Sequence, residues 1–404
     1  MTLHRWLVVA IAGSSTSVHA DTAQVLDRAK VIELATHGAP TLRVARARTQ
    51  EARAGRVGTD ARAPINPELT ITAGPRFLTG STGLDAMIGL TWPLDFSGAG
   101  HARHRVADER VQVAQAEEAT VTLAAVGDAL ARWNDLRIAQ DQAALARAAS
   151  GIDDELVRIA TVRRNAGAVG DGDVALANVL RAEGKGRLRV VEAQRQAALI
   201  ELRAQLGLAD DADVAVPALD DGVAPQPITQ LLERVGRHPE IARAAHEVVV
   251  ANADAELQGR IGKPVPRLVL DGEHSPEYAV HAGIDIPLPI YQRNQTNRAI
   301  AGAHVDVTRA EQTRIQRRLA VDLRVQYERL LGARDAAAAL SAVSADVADA
   351  ERLATRGYEL GQTTLGAAVA ARREAATARQ ALLDARADVA RQQLALDVAS
   401  GALP

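Results

Sequence analysis

The side chains able to do chemistry are few and dispersed. His101 and His104 stand three apart, with Asp108 four residues further on, and a helix would gather all three on one face. Histidine beside a carboxylate is a metal-binding combination, but Arg103 and Arg105 crowd the trio with positive charge, so a polar surface contact competes with that reading. His281 and Asp285 share the small, polar side of an alternating run, where they could offer a weak cation contact. Asp171 and Asp173 lie in the Gly-rich stretch Ala166-Gly167-Ala168-Val169-Gly170-Asp171-Gly172-Asp173. Two such carboxylates either favour cations in a pore or cap and complement the start of a helix. Catalytic patterns fail on inspection. Gly98-Ala99-Gly100 has no third glycine at the dinucleotide spacing, and Val250 occupies the place of the second zinc histidine after His246-Glu247. A Gly-x-Ser-x-Gly elbow is absent. Zero cysteines exclude a thiol nucleophile, a disulfide, a Cys-type zinc site, an iron–sulfur cluster and a lipidated N-terminal cysteine. The chain therefore reads as a non-enzyme with no cofactor and no fixed metal.

The elements that would position these residues form an unusual chain. Of 404 residues, 47% are hydrophobic and 24% charged, yet only nine are aromatic, which argues against a thick globular core. Alanine-rich helices that touch only their neighbours fit better. A net charge of −3 leaves no polybasic footprint, so nucleic acid is not an expected partner. Residues 1–20 read as an export signal: His4 and Arg5, an apolar run from Trp6 to Ala12, then Val18-His19-Ala20 as a small-x-small cleavage site. Beyond it no run of 18 apolar residues occurs, so a membrane could be crossed only by strands.

An internal repeat organises the rest. Ala116-Glu117 recurs as Ala310-Glu311, Trp133 as Tyr327, Gly167 as Gly361 and Gly207 as Gly401, all 194 residues apart. Upstream, Pro40-Thr41-Leu42 pairs with Pro239-Glu240-Ile241 at an offset of 199, so a loop differs in length between the copies. This divides the chain into a signal (1–20), a first repeat (21–208), a linker (209–226) and a second repeat (227–404).

Each repeat reads as a helical segment (23–60, 227–260) stopped by Pro64 and Pro67 or by Pro264 and Pro266. Two alternating strands follow: Leu69 to Ala73 and Ile88 to Leu94 in one copy, Leu268 to Leu270 and Val280 to Leu288 in the other. Next come proline-free rods, 101–165 and 291–361; at 1.5 Å per residue, the first measures roughly 98 Å. Apolar stripes run along them, Leu123-Val126-Leu130-Trp133 and Leu319-Leu323-Tyr327-Leu330-Leu331. Glycine turns at 166–173 and 361–364 then return a helix of about forty residues. Four strands can neither close a barrel nor leave open edges in lipid, so membrane strands would require several chains; three copies give twelve strands.

With these features the chain resembles the TolC-like outer-membrane efflux channels over nearly its whole mature length. The resemblance rests on the duplicated strand-end motifs Trp92-Pro93-Leu94-Asp95-Phe96-Ser97-Gly98 and Ile286-Pro287-Leu288-Pro289-Ile290, and on Gly167 followed at six residues by Asp173-Val174. The run from Pro287 to Gln295 is similar to the CzcC branch, which serves heavy-metal cation efflux. The resemblance implies a mainly α protein with membrane β: a homotrimer whose twelve-stranded outer-membrane β-barrel continues as a periplasmic α-helical barrel. It also implies a periplasmic adaptor (membrane fusion protein) and an inner-membrane RND pump as partners, in heavy-metal resistance. On that model Gly167, Gly170, Asp171, Asp173, Gly361, Thr363 and Thr364 form the periplasmic tip, aperture and adaptor-docking turns, with His281 and Asp285 as barrel-lumen candidates. Where the first turn carries Asp173 the second has Ala367, so any acidic gate rests on the first repeat. Drug or polypeptide export through the same fold, and a soluble periplasmic helical-hairpin adaptor, are the alternatives.

Overall fold

A computed structural model describes residues 24–59, 66–274 and 277–403; the expected signal at 1–20 and Pro64 lie outside them. The chain runs β1 (Gln24–Val25), α1 (Arg28–Gly38), α2 (Pro40–Ala54), β2 (Glu68–Leu78), β3 (Ser81–Pro93), α3 (Ala99–Asn165) and α4 (Asp171–Leu206). It continues as β4 (Val214–Ala215), α5 (Ile228–Val235), α6 (Pro239–Ile261), β5 (Arg267–His274), β6 (Tyr278–Asp285), α7 (Gln295–Ala342), α8 (Ser344–Glu359) and α9 (Leu365–Ala399).

Three expectations need correction. Each opening helical segment is two helices, because Ala39 and His238 adopt extended φ/ψ immediately before Pro40 and Pro239, which start α2 and α6. The last strand stops at Asp285, short of Leu288, since Pro287 and Pro289 have no N–H for a ladder. The second rod breaks at Val343, where φ is −99° and ψ 2°; Ser344 Oγ donates to Ser341 O at 2.8 Å, a side-chain bond that competes with the helical ladder. The 209–226 linker is itself tied to the first repeat, because β4 within it pairs in parallel with β1.

Arg137 explains why that segment is fixed. Its buried guanidinium lies 4.5 Å from the Trp133 ring centroid and donates to the carbonyls of Pro217 (3.1 Å) and Ala218 (2.7 Å). Trp133 Nε1 donates to Leu26 O at 2.8 Å, so the indole is satisfied while its ring packs among Leu123, Val126 and Leu130.

The helices form a wall one or two helices thick. The 67-residue α3 spans about 100 Å. It packs against α2 and α4 and also against α6 and α9, while α7 packs on α6 and α9. The shorter helices meet end to end. Gly38, at the step into α2, abuts Leu206 at the end of α4, where a Cβ on Gly38 would stand 2.9 Å from Leu206 O. His238, before α6, reaches Val398 O near the end of α9 at 3.4 Å. Of the stripe leucines, Leu319, Leu323 and Leu330 are buried, in a core that includes Leu231, Ile241 and Leu396, while Leu331 is half-buried.

Candidate functional site

The two strand pairs merge into one antiparallel sheet of order β2-β3-β5-β6, joined across the repeats by β3 and β5. Register aligns the alternation of all four strands. One face carries Leu69, Ile71 and Phe77, then Ile88, Leu90 and Trp92, then Leu268 and Leu270, then Val280 and Ile284, all of them exposed. The other carries Thr70, Thr72 and Arg76, then Asp85 and Thr91, then Arg267, Asp271 and Glu273, then His281 and Asp285. A sheet whose apolar face finds no cover within the chain is built for an apolar surrounding.

Aromatic rings mark both ends of that face. Phe77 and Tyr278 stand near the hairpin ends, with Tyr278 stacked on His274 at 4.5 Å; Trp92, Phe96 and Tyr291 stand at the helix end. Along β3, position 82 (opposite Phe77) and position 92 are about 34 Å apart at ~3.4 Å per residue, or roughly 24 Å of height at ~45° tilt. A membrane barrel carries an apolar band of about 25 Å between aromatic girdles. Among the described residues no helix is long and apolar enough to cross a membrane.

His281 and Asp285 share the polar face, as expected, opposite Asp271 and Arg267. His104 is engaged at the surface: Nε2 lies 3.2 Å from Asp108 Oδ2, Nδ1 lies 3.0 Å from Thr59 Oγ1, and Asp108 also pairs with Arg56 at 2.7 Å. His101 is exposed outside this network. No group of three or more His, Asp and Glu among the described residues is placed to hold a metal.

At the far end of the helices the two turns are built alike. Gly167 (φ 73°) and Gly361 (φ 77°) occupy the left-handed region that a helix C-terminus uses, which glycine enters without Cβ strain. Ala168 N donates to Arg163 O at 2.9 Å, and Gln362 N to Gly357 O at 2.8 Å, the same bond 194 residues on. The helix starts that follow differ. Thr364 Oγ1 accepts from Ala367 N at 3.3 Å and caps α9, whereas Gly170 precedes α4 with no side-chain cap. Asp171 and Asp173 therefore complement the α4 dipole from its first turn without capping it. Asp171 is exposed and 3.3 Å from Arg164.

Asp173 accepts instead from the Tyr358 hydroxyl of α8 at 3.1 Å. Tyr358 is fully buried among Leu156, Ile159, Leu180, Leu365 and Val369, and Arg163 both lies over its ring at 4.6 Å and donates to its carbonyl at 2.7 Å. Burial, then the Asp173 carboxylate, push the phenol pKa up to about 12, so it remains a donor. Sequence inspection passed over Tyr358 and Arg163; the sequence signal was an aromatic three residues before the turn glycine in a chain with only nine.

A model of the outer membrane efflux protein family matches residues 31–208 and again 231–402. This chain belongs to that family. It is 32% identical to CyaE of Bordetella pertussis over 337 residues, covering 74% of this chain and 68% of CyaE. Similarity to the pyoverdine export outer membrane protein OpmQ of Pseudomonas aeruginosa is 28% over 233 residues, covering 53% of this chain and 48% of OpmQ. The fold matches the solved structure of CusC with a TM-score of 0.77 at 19% identity, over 92% of this chain and 91% of that one. The protein is thus an outer-membrane efflux protein, its helices lying on the periplasmic side, in a family of transport conduits rather than enzymes. The reading as a soluble adaptor falls with this assignment.

Proposed function

We propose that three copies close a twelve-stranded barrel continued by a helical tube, a passive exit duct whose energy comes from an inner-membrane pump. The observation that carries this reading is the open four-stranded sheet: its edge strands β2 and β6 have no further strand partner among the described residues, and open edges are untenable in lipid. Exposed apolar residues on α7 (Ile300, Val307, Val321) and on α4 (Leu176, Val179) support a neighbour along the helices as well. A periplasmic adaptor docks at the turns around Gly167 and Gly361, and an RND-type pump completes the path. Asp171 and Asp173, repeated three times, favour cations at the aperture.

For cargo, the Pro287 to Gln295 run supports heavy-metal cations such as Co, Zn, Cd or Ni. Export of an organic molecule is the second reading, favoured by similarity to a relative named for pyoverdine export. A deletion strain should become sensitive to Zn, Co, Cd or Ni salts; sensitivity confined to drugs, or loss of siderophore secretion alone, would select the second reading. The duct itself predicts a heat-modifiable trimer in the outer-membrane fraction, and a monomeric species would refute it. Changing both Asp171 and Asp173 to Asn should lower cation selectivity in planar bilayers, and unchanged selectivity would remove them from the aperture.

A further inference from the structure

The apolar face does not end where the sheet ends. β6 has eight residues, about 19 Å of height at ~3.4 Å per residue and ~45° tilt, short of a ~25 Å band. The alternation continues beyond it: Ile286, Leu288 and Ile290 keep the parity of Ile284 and are 52%, 73% and 61% exposed, and Tyr291 follows at 86%. On β3 the same parity leads past Trp92 to Phe96, 79% exposed. Exposed loops of this composition suit the boundary between hydrocarbon and headgroups.

Immediately beyond the rings the charges turn basic. From Ile286 to Arg298 there is no acidic residue, while Arg293 and Arg298 are both exposed. Lys263 joins them. A Cβ on Gly262 would collide with Arg293 O, and Asn294 Nδ2 donates to Gln258 O at 2.9 Å, so the end of α6 and the start of α7 lie against each other. Arg105 and Arg260 nearby are spent on Glu256, and Arg56 on Asp108. Lys263, Arg293 and Arg298 make no ion pair among the described residues, and Arg293 uses only Nε on its side chain, donating to Pro289 O at 2.9 Å.

Resting on the membrane placement of the sheet, we propose that Lys263, Arg293 and Arg298, below the rings of Phe96 and Tyr291, form a binding surface for anionic phospholipid headgroups of the periplasmic leaflet. The rings fix the depth and the three cations take the phosphates, a combination that holds the junction of barrel and tube at the membrane surface.

The full chain, reconstituted in vesicles of phosphatidylethanolamine with a quarter phosphatidylglycerol and re-extracted in mild detergent, should retain the two lipids at a phosphatidylglycerol-to-phosphatidylethanolamine ratio about fivefold above that of the vesicles, the scale of one basic group near an anionic surface. Lys263→Gln/Arg293→Gln/Arg298→Gln should bring retention to parity, whereas Arg181→Gln/Arg189→Gln/Arg195→Gln on α4 should not. Arg298→Gln alone, read in the same way, should give an intermediate loss. Parity in the wild type, an unaffected triple variant or an equal loss in the α4 control would overturn the proposal. So would dissociation of the assembly by the triple variant, which would make this surface an interface between copies. Quenching of Trp92 by bromine-labelled lipid separates the two levels: without it the membrane placement fails, and with it but without a lipid preference only the present proposal fails.

Discussion

Gly184 should be the costliest glycine to change in the periplasmic helices, and the reason is a carboxylate. An interior helix glycine normally costs about 1 kcal/mol relative to alanine, so Gly→Ala in α4 would ordinarily stabilise. At Gly184 a methyl would collide with Asp153 Oδ2 and stand 3.3 Å from its Cγ. Asp153 is 1% exposed and held by Arg372 of α9, which also donates to Ala149 O at 3.0 Å, so the carboxylate has little room to turn away. Breaking such a buried pair costs about 3–5 kcal/mol; allowing for the helix gain and for the bond Arg372 keeps, Gly184→Ala should lose about 2–4 kcal/mol. Gly186→Ala, with nothing within 4 Å, should gain up to ~1 kcal/mol. In the Asp153→Ala background the penalty of Gly184→Ala should disappear, a coupling of at least ~2 kcal/mol in a double-mutant cycle. Denaturation of the detergent-solubilised protein, followed by far-ultraviolet circular dichroism, reads all four variants. Gly184→Ala as stable as Gly186→Ala would refute the argument that this glycine exists to admit the carboxylate.

The same contact has a pH signature: burial holds the Asp153 carboxyl above its usual range of about 3.8, with Arg372 pulling the other way. A raised folded-state pKa means the folded protein binds the proton more tightly, so this contribution improves as pH falls toward 3.8, and Asp153→Asn should abolish that dependence in pH-resolved unfolding. His238 should act in the opposite sense. Burial lowers its pKa from 6.5 while Nδ1 accepts from Glu240 N at 3.2 Å, so stability should drop as pH falls through about 6.5 toward the folded value, and His238→Asn, which retains a capping acceptor, should flatten that drop. Tyr358→Phe should cost about 1–2 kcal/mol by leaving Asp173 without its hydroxyl donor, visible as faster proteolysis at the tip; an unchanged cleavage rate would show that the hydroxyl does not join the hairpins.

Much of the architecture was legible before any coordinates because it follows local rules. Period-two alternation placed all four strands, proline-free stretches placed α3 and the long reach of α7, and left-handed glycines ended α4 and marked both turns. What local rules missed was local competition. A serine hydroxyl and a β-branched valine end α7 at 342–344 where no glycine or proline announces a break, and paired prolines halt β6 three residues early.

Periodicity, composition and the 194-residue offset determined by themselves that the chain is a duplicated unit with strands fit for lipid and rods fit for a tube, since those properties are written in neighbouring residues. Only the tertiary structure decided which distant groups meet. Asp173 was legible as an acid beside a turn, but its bond to Tyr358, 185 positions away, depends on how two hairpins pack. Likewise, Asp153 with Arg372 and Gly184, Arg137 with the carbonyls of Pro217 and Ala218, and the seating of Arg293 against Gly262 are long-range contacts set by helix docking, which no sequence spacing encodes.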